Sequence, residues 1–201
     1  IAQAVLAGGD LTTLFAEIHR IVAGLLPARN FYVATLSPDG TLLSFPYFVD
    51  ETAPQPPPRK RGFGLTEYVL HTGRPILTTA DELTVLRRDH HQYSPTGKPA
   101  ALWLGAPLLI EGRAFGVIAV QDYHNPAAYG EEDKRLLTFV ASQTAAAVQR
   151  RQAEEALQRA EQQYRGIFEN ALEGLYQTTP DGRFIRVNAA MARILGYASP
   201  D

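Results

Sequence analysis

The chain predicts an α+β fold: a central antiparallel sheet, one long helix leaving it, and an incomplete second unit beyond that helix. Three observations carry this. The run LWLGAPLLIEGRAFGVIAVQDY, residues 102–123, is an apolar hairpin with a turn at Glu111-Gly112-Arg113. A second hairpin lies upstream, around the strong turn sequence Ser37-Pro38-Asp39-Gly40. From Glu131 to about Glu169 runs one unbroken helical pattern, apolar enough at first to pack on a sheet and highly charged past Gln149.

Each element has a local reason. Asp10 can cap a helix over 11–26, where Leu11, Leu14, Phe15, Ile18, Val22 and Leu25 recur at helical spacing and Pro27 stops it. Strands are expected over 31–36 and 42–49. Residues 50–61 form a Pro-rich loop with a basic end, and 64–72 a short helix that Gly73 terminates, with Arg74-Pro75 beyond. A short strand over 76–78 and a brief helix capped by Thr79 or Asp81 and running through Leu86 come next, then a polar loop from Arg87 to Lys98. The strands 102–110 and 114–123 make the apolar hairpin. The long helix would span about 60 Å at 1.5 Å per residue. That exceeds a small domain, so its second half needs a partner. Leu157, Ala160, Tyr164 and Ile167 are spaced 3, 4, 3, as in a two-stranded coiled coil. Behind the helix, strands over 174–178 and 183–187 flank the turn Thr179-Pro180-Asp181-Gly182, and Asn188 opens a helical segment over 189–195. Two strands and one short helix cannot bury a core, so this reads as the front of a second domain.

With 201 residues, 45% hydrophobic and 20% charged, the chain has the composition of an ordinary globular protein of one or two domains. A net charge of -2 gives no reason to expect nucleic acid or an anionic membrane as partner. No apolar run reaches the roughly 20 residues of a membrane-spanning helix. The chain begins at Ile1 and reads as a fragment. It has no cysteine, which removes disulfides, thiolate metal sites and thiol nucleophiles and fits a cytoplasmic setting.

In their order, Phe31–Leu36, GLTEYV at 64–69, LGAPL at 104–108, GVIAV at 116–120 and YGEED at 129–133 resemble a GAF domain. Residues 164–197, with Tyr164-Arg165, Phe168-Glu169, Gly174, Asp181-Gly182, Asn188 and Leu195-Gly196-Tyr197, look like the N-terminal part of a PAS domain. The resemblance implies a GAF-like central antiparallel sheet, with helices on one face and a loop-covered pocket on the other. It implies three segments: a sensory domain over 1–148, a signalling or coiled-coil linker helix over 149–170, and an incomplete PAS fragment over 171–201. That order is typical of bacterial sensor histidine kinases and diguanylate cyclases. It implies an input region whose C-terminal output domain is absent from this chain.

Strand alternation sorts the candidate site. Ile118 and Val120 suit the helix-covered face. Ala119, Gln121 and Tyr123 then point to the other face, where a small side chain and two hydrogen-bonding groups suit a ligand cavity. Phe45 and Tyr47 would add aromatic wall, and Trp103 and Gly105 lie on the neighbouring strand. His90 and Tyr93, with Asp89 and His91, form the densest polar cluster of the lid-like loop. Adjacent histidines point to opposite sides of an extended chain, so no metal site is assigned. His19, His71 and His124 are isolated.

Several chemistries are argued down. In this family a bilin chromophore is usually tethered through cysteine and methionine-sulfoxide reductases need cysteine, and the chain has none. The Asn-Lys…Phe…Asp-Glu signature of cyclic-nucleotide binders is replaced here by Gln121-Asp122, Tyr129 and Asp133-Lys134. No phosphate loop, zinc-protease helix or Gly-x-Ser-x-Gly elbow is present. Glu131, Glu132 and Asp133 suit the positive end of a helix rather than acid–base work.

The reading is non-catalytic, with no cofactor. An unidentified small-molecule ligand occupies the pocket face, and the long helix passes its state on across a parallel homodimer. Val140, Thr144, Ala147 and Leu157 are the expected packing positions. Two rival readings stay open at this point: a ligand-free dimerisation platform, and an enzyme using Asp89, His90 and Tyr93 as acid–base groups.

Overall fold

The structure, a computed structural model, describes residues 9–79, 82 and 99–199. It divides into two compact units, Ile1–Arg150 and Arg151–Asp201.

The first unit runs α1 (Gly9–Ala23), β1 (Asn30–Leu36), β2 (Leu42–Val49), β3 (Arg59–Lys60), α2 (Leu65–Thr72), β4 (Ile76–Thr79), β5 (Leu102–Ile110) and β6 (Arg113–Asp122), then enters α3 (Glu131–Asn170). The six strands form one antiparallel sheet in the order β3-β2-β1-β6-β5-β4. The β5–β6 hairpin closes on Glu111 and Gly112, both with positive φ, the mirror-image two-residue turn that matches strand twist.

Both faces of the sheet are covered, by different means. On one face Phe31, Val33, Leu104, Ala106, Ile118 and Val120 pack against Phe15 and Val22 of α1 and Leu137, Ala141 and Val148 of α3. On the other face Tyr32, Ala34, Phe45, Trp103, Val117 and Ala119 pack with Val69 and Leu70 of α2. Strands β1 and β6 lie inside the sheet, and this two-sided burial is why their central residues are apolar throughout.

Strand β2 breaks the alternation. Tyr47 is opposite Val33 and Ser44 is opposite Thr35, so Phe45 and Pro46 together face Ala34. This is a β-bulge, and the proline, which has no N–H to give to a ladder, sits within it. The extra residue turns Tyr47 to the face opposite Phe45.

In the second unit α3 continues to Asn170, followed by the hairpin β7 (Tyr176–Thr178) and β8 (Phe184–Val187) and by α4 (Ala189–Ile194). Asn188 is fully buried and holds these pieces together. Its Oδ1 accepts from the N–H groups of Leu175 and Met191, and its Nδ2 donates to the Glu173 carbonyl. The expected helix cap at Asn188 is therefore present, and it also pins the approach to β7.

Helix α1 is described from Gly9, and the cap expected at the Asp10 side chain lies outside what is described. The basic-ended loop contains β3, which pairs with Leu42 and Leu43 at the sheet edge. The brief helix expected through Leu86 lies, apart from Glu82, outside the described residues.

Candidate functional site

The second face of the sheet is built around the only tryptophan of the chain. Trp103 lies on β5 with its ring across Gly105, two residues further along the same face. A Cβ on Gly105 would fall 2.0 Å from the ring, so only glycine leaves room for the indole to lie flat. The Trp103 Nε1–H donates to the Tyr32 hydroxyl at 3.1 Å. The hydroxyls of Tyr32 and Thr66 share a hydrogen bond of 2.9 Å. One buried polar chain thus ties β5 to β1 and to the first turn of α2. Around it, Tyr32 makes ring contacts with Phe45 and Phe48 at 5.8 Å each.

Helix α2 is held over this face by Glu67. Its carboxylate accepts from Arg59 Nη1 at 2.6 Å and from the N–H groups of Gly62 and Gly64. Glu67 is buried, which works to raise its carboxyl. The hydrogen bond and charge of Arg59, with the Gly62 N–H, outweigh that and hold it below the ordinary value. The Arg59 guanidinium also lies 5.8 Å from the centre of the Phe45 ring. One carboxylate therefore closes α2 at its N-terminus and anchors the loop after β2 beside the aromatic cluster.

At the end of the sheet, Gln121 Nε2 donates to Asp50 Oδ2 at 2.7 Å and to the Tyr123 hydroxyl, and that hydroxyl donates to the same Asp50 oxygen at 2.9 Å. Asp50 Oδ1 accepts from Thr52 and Ala53. Burial works to raise the Asp50 carboxyl, but these donors hold it lower than usual. The Tyr123 hydroxyl is pushed up to about 12 by burial and by the charge of Asp50 beside it.

Of the sequence-derived site residues, Phe45, Trp103, Gly105, Ala119 and Gln121 belong to this second side of the sheet, with Gly105 opposite Ala119 and Trp103 opposite Gln121. Tyr123 joins Gln121 in the Asp50 cluster at the sheet end. Tyr47 is corrected: the bulge places it on the helix-covered face, where its hydroxyl meets His19 Nδ1 at 3.0 Å. The Ala28 carbonyl can only accept, so His19 Nε2 donates to it, at 2.7 Å. The His19 ring stacks on Phe31 with centroids 4.5 Å apart. His90 and Tyr93, with Asp89 and His91, lie outside the described residues.

The expected packing positions on α3 do not share a face. Thr144 is buried in its own domain, with its hydroxyl turned back to the Val140 carbonyl. Val140 packs partly against the first core. Both are corrected: in a helix lying on a sheet, these positions face the sheet. Ala147 is exposed and Leu157 is 61% exposed. Among the described residues no group of three His, Asp or Glu side chains is placed to hold a metal ion, and no helix is long and apolar enough to cross a membrane.

Tyr32, Thr66, Phe48, Asp50 and the Arg59–Glu67 pair are central here, yet none was among the site residues expected from the sequence. Tyr32 had a signal, since alternation in β1 sets it opposite Phe31 and Val33. Thr66 and Glu67 reach the site only through the docking of α2, which no local pattern reports.

A family model for the GAF domain matches residues 9–149, and one for the PAS domain matches residues 162–201. No curated protein matches the chain in sequence. Among solved structures, the GAF domain of a phosphoenolpyruvate-protein phosphotransferase from Coxiella burnetii is similar, at 19% identity and TM-score 0.57, covering 77% of this chain and 92% of that one. So is the free methionine-R-sulfoxide reductase from Neisseria meningitidis, at 16% identity and TM-score 0.57, covering 75% and 86%. A methyl-accepting chemotaxis protein fragment matches at 17% identity and TM-score 0.54, covering 66% and 85%. At these identities the likeness is one of fold.

Proposed function

Because the chain belongs to the GAF domain family through residues 9–149, with a PAS match over 162–201, we propose that it is a sensory input region of a bacterial signalling protein. Its second sheet face takes a small ligand, and α3 carries the resulting state onward, pairing with a second copy. Residues 1–148, 149–170 and 171–201 are then sensor, linker helix and PAS portion. The carrying observation is the Trp103–Tyr32–Thr66 chain, which joins two strands and a helix on the face opposite α3. A ligand with its own hydrogen-bonding group and a flat apolar body suits Tyr32, Phe45, Phe48 and Trp103. It would act on α3 through the single sheet between them, and only to the extent that it binds two states of that sheet with different affinity.

A second reading has its own support. The Trp103 indole N–H and the Tyr32 and Thr66 hydroxyls satisfy one another, and their residues are buried. A face so satisfied also suits a ligand-free dimerisation platform. The methionine-R-sulfoxide reductase likeness carries no enzymatic reading here, since the chain has no cysteine to supply a thiol.

Native mass spectrometry of the freshly purified chain separates the readings. The sensor reading expects mass beyond the sequence that denaturation removes, together with a change in Trp103 emission after ligand-free refolding. A clean mass and unchanged emission would select the platform reading.

A further inference from the structure

The charged half of α3 carries an exposed stripe at Ala153, Leu157, Ala160, Tyr164 and Ile167, spaced 4, 3, 4, 3. Leu157, Tyr164 and Ile167 are each at least half exposed. That spacing is the seam of a two-stranded coiled coil, with alanines letting the backbones approach. The flanks choose the occupant and its direction. Glu154 and Glu161 border one side of the stripe; Ala156 and Gln163 border the other. A second copy lying parallel sets the glutamate flank of one helix against the Ala/Gln flank of its partner. Antiparallel pairing would set glutamates against glutamates.

One seam residue is also tied into the second unit. Tyr164 stacks on Phe168 one turn later, with ring centroids 5.8 Å apart. The Arg186 guanidinium of β8 lies 5.6 Å from the Tyr164 ring centre and 5.0 Å from that of Phe168, with Glu169 3.9 Å from its Nη2. Phe168 is buried, while Tyr164 stays half exposed. The same ring therefore faces the seam and is gripped by the hairpin β7–β8.

Resting on the reading that α3 pairs with a second copy, we infer that Arg186 presets Tyr164 for that pairing, so that parallel helix association and the seating of β8 strengthen one another. Ordering the ring beforehand removes rotamer freedom that pairing would otherwise have to remove. Linkage makes the effect reciprocal: whatever Arg186 contributes to pairing, pairing returns to the seating of Arg186.

The absence of cysteine makes the test direct. In the full chain, Ala160→Cys on the seam is compared with Gln162→Cys off it, each with and without Arg186→Gln. The expected result is rapid disulfide capture at position 160 alone, slowed at least fivefold by Arg186→Gln. Reciprocally, Leu157→Glu raises amide exchange in Phe184–Val187. Equal capture at 160 with and without Arg186→Gln leaves pairing intact and overturns the coupling. No capture at 160, with a monomer by sedimentation, overturns pairing and coupling together. Should Arg186→Gln unfold the second unit, the exchange measurement decides: unchanged exchange in Leu157→Glu refutes the coupling.

Discussion

Trp103 and Tyr32, 71 residues apart in sequence, meet through a single hydrogen bond of 3.1 Å inside the second core. The bond orients the indole so that it lies over Gly105, and it leaves the Tyr32 hydroxyl in reach of Thr66. Three elements thus share one buried polar chain, and each member can be tested alone.

Tyr32→Phe leaves the Trp103 N–H buried without its acceptor. The expected loss is about 1–3 kcal/mol of folding stability. Urea unfolding followed by Trp103 emission measures it. A change below a few tenths of a kcal/mol would mean that water or another group satisfies the indole.

Gly105→Ala places a methyl inside the space of the indole ring, which is rigid and buried. Overpacking of this kind costs about 1–3 kcal/mol. The near-ultraviolet dichroism of the single tryptophan should change with it, because the ring has to leave its seat. An unaltered spectrum would contradict the close approach.

Glu67 ionises at lower pH in the folded chain than its ordinary value of 4.5. As pH falls, the unfolded chain therefore takes up the proton first. The stability from Glu67 is complete above that ordinary value and is lost as pH drops through the lower folded value. Asp50 acts with the same sign. Glu67→Gln should flatten the acid side of a stability–pH profile and lower stability near neutrality.

Tyr47→Phe and Phe45→Ala distinguish the two faces. The first removes the hydroxyl that meets His19 and should leave Trp103 emission unchanged. The second empties part of the Trp103 side, shifts that emission and costs about 3–5 kcal/mol, in the range for large-to-small core changes. Equal emission changes from both would refute the bulge.

Thr144→Asp buries a charge beneath the sheet and should destabilise the first unit by several kcal/mol. Leu157→Glu, at a position 61% exposed, should leave the melting temperature of a dilute sample within a degree or two. A larger loss from Leu157→Glu than from Thr144→Asp would reverse the assignment of the two helix faces.

Much of this was legible beforehand because it is local. Strand β2 and strand β5 begin and end where residue types and turns placed them, and Asn188 caps α4 as its position before the apolar run suggests. Ala119 and Ile118 sort to opposite faces by simple alternation. Tyr47 did not, although Pro46 in mid-strand was a visible sign of a bulge. Thr144 was misread because one helix carries two apolar stripes, and spacing alone does not say which one the domain itself covers.

The periodicity and turn chemistry of the chain determined most of its elements and their order, since these depend on neighbours within a few residues. Only the tertiary structure decided which residues meet. The Trp103–Tyr32–Thr66 chain, the Arg59–Glu67 anchor and the grip of Arg186 on Tyr164 each join separate elements. Such contacts depend on docking, and the face of Tyr47 on a one-residue bulge in β2; packing in three dimensions sets both.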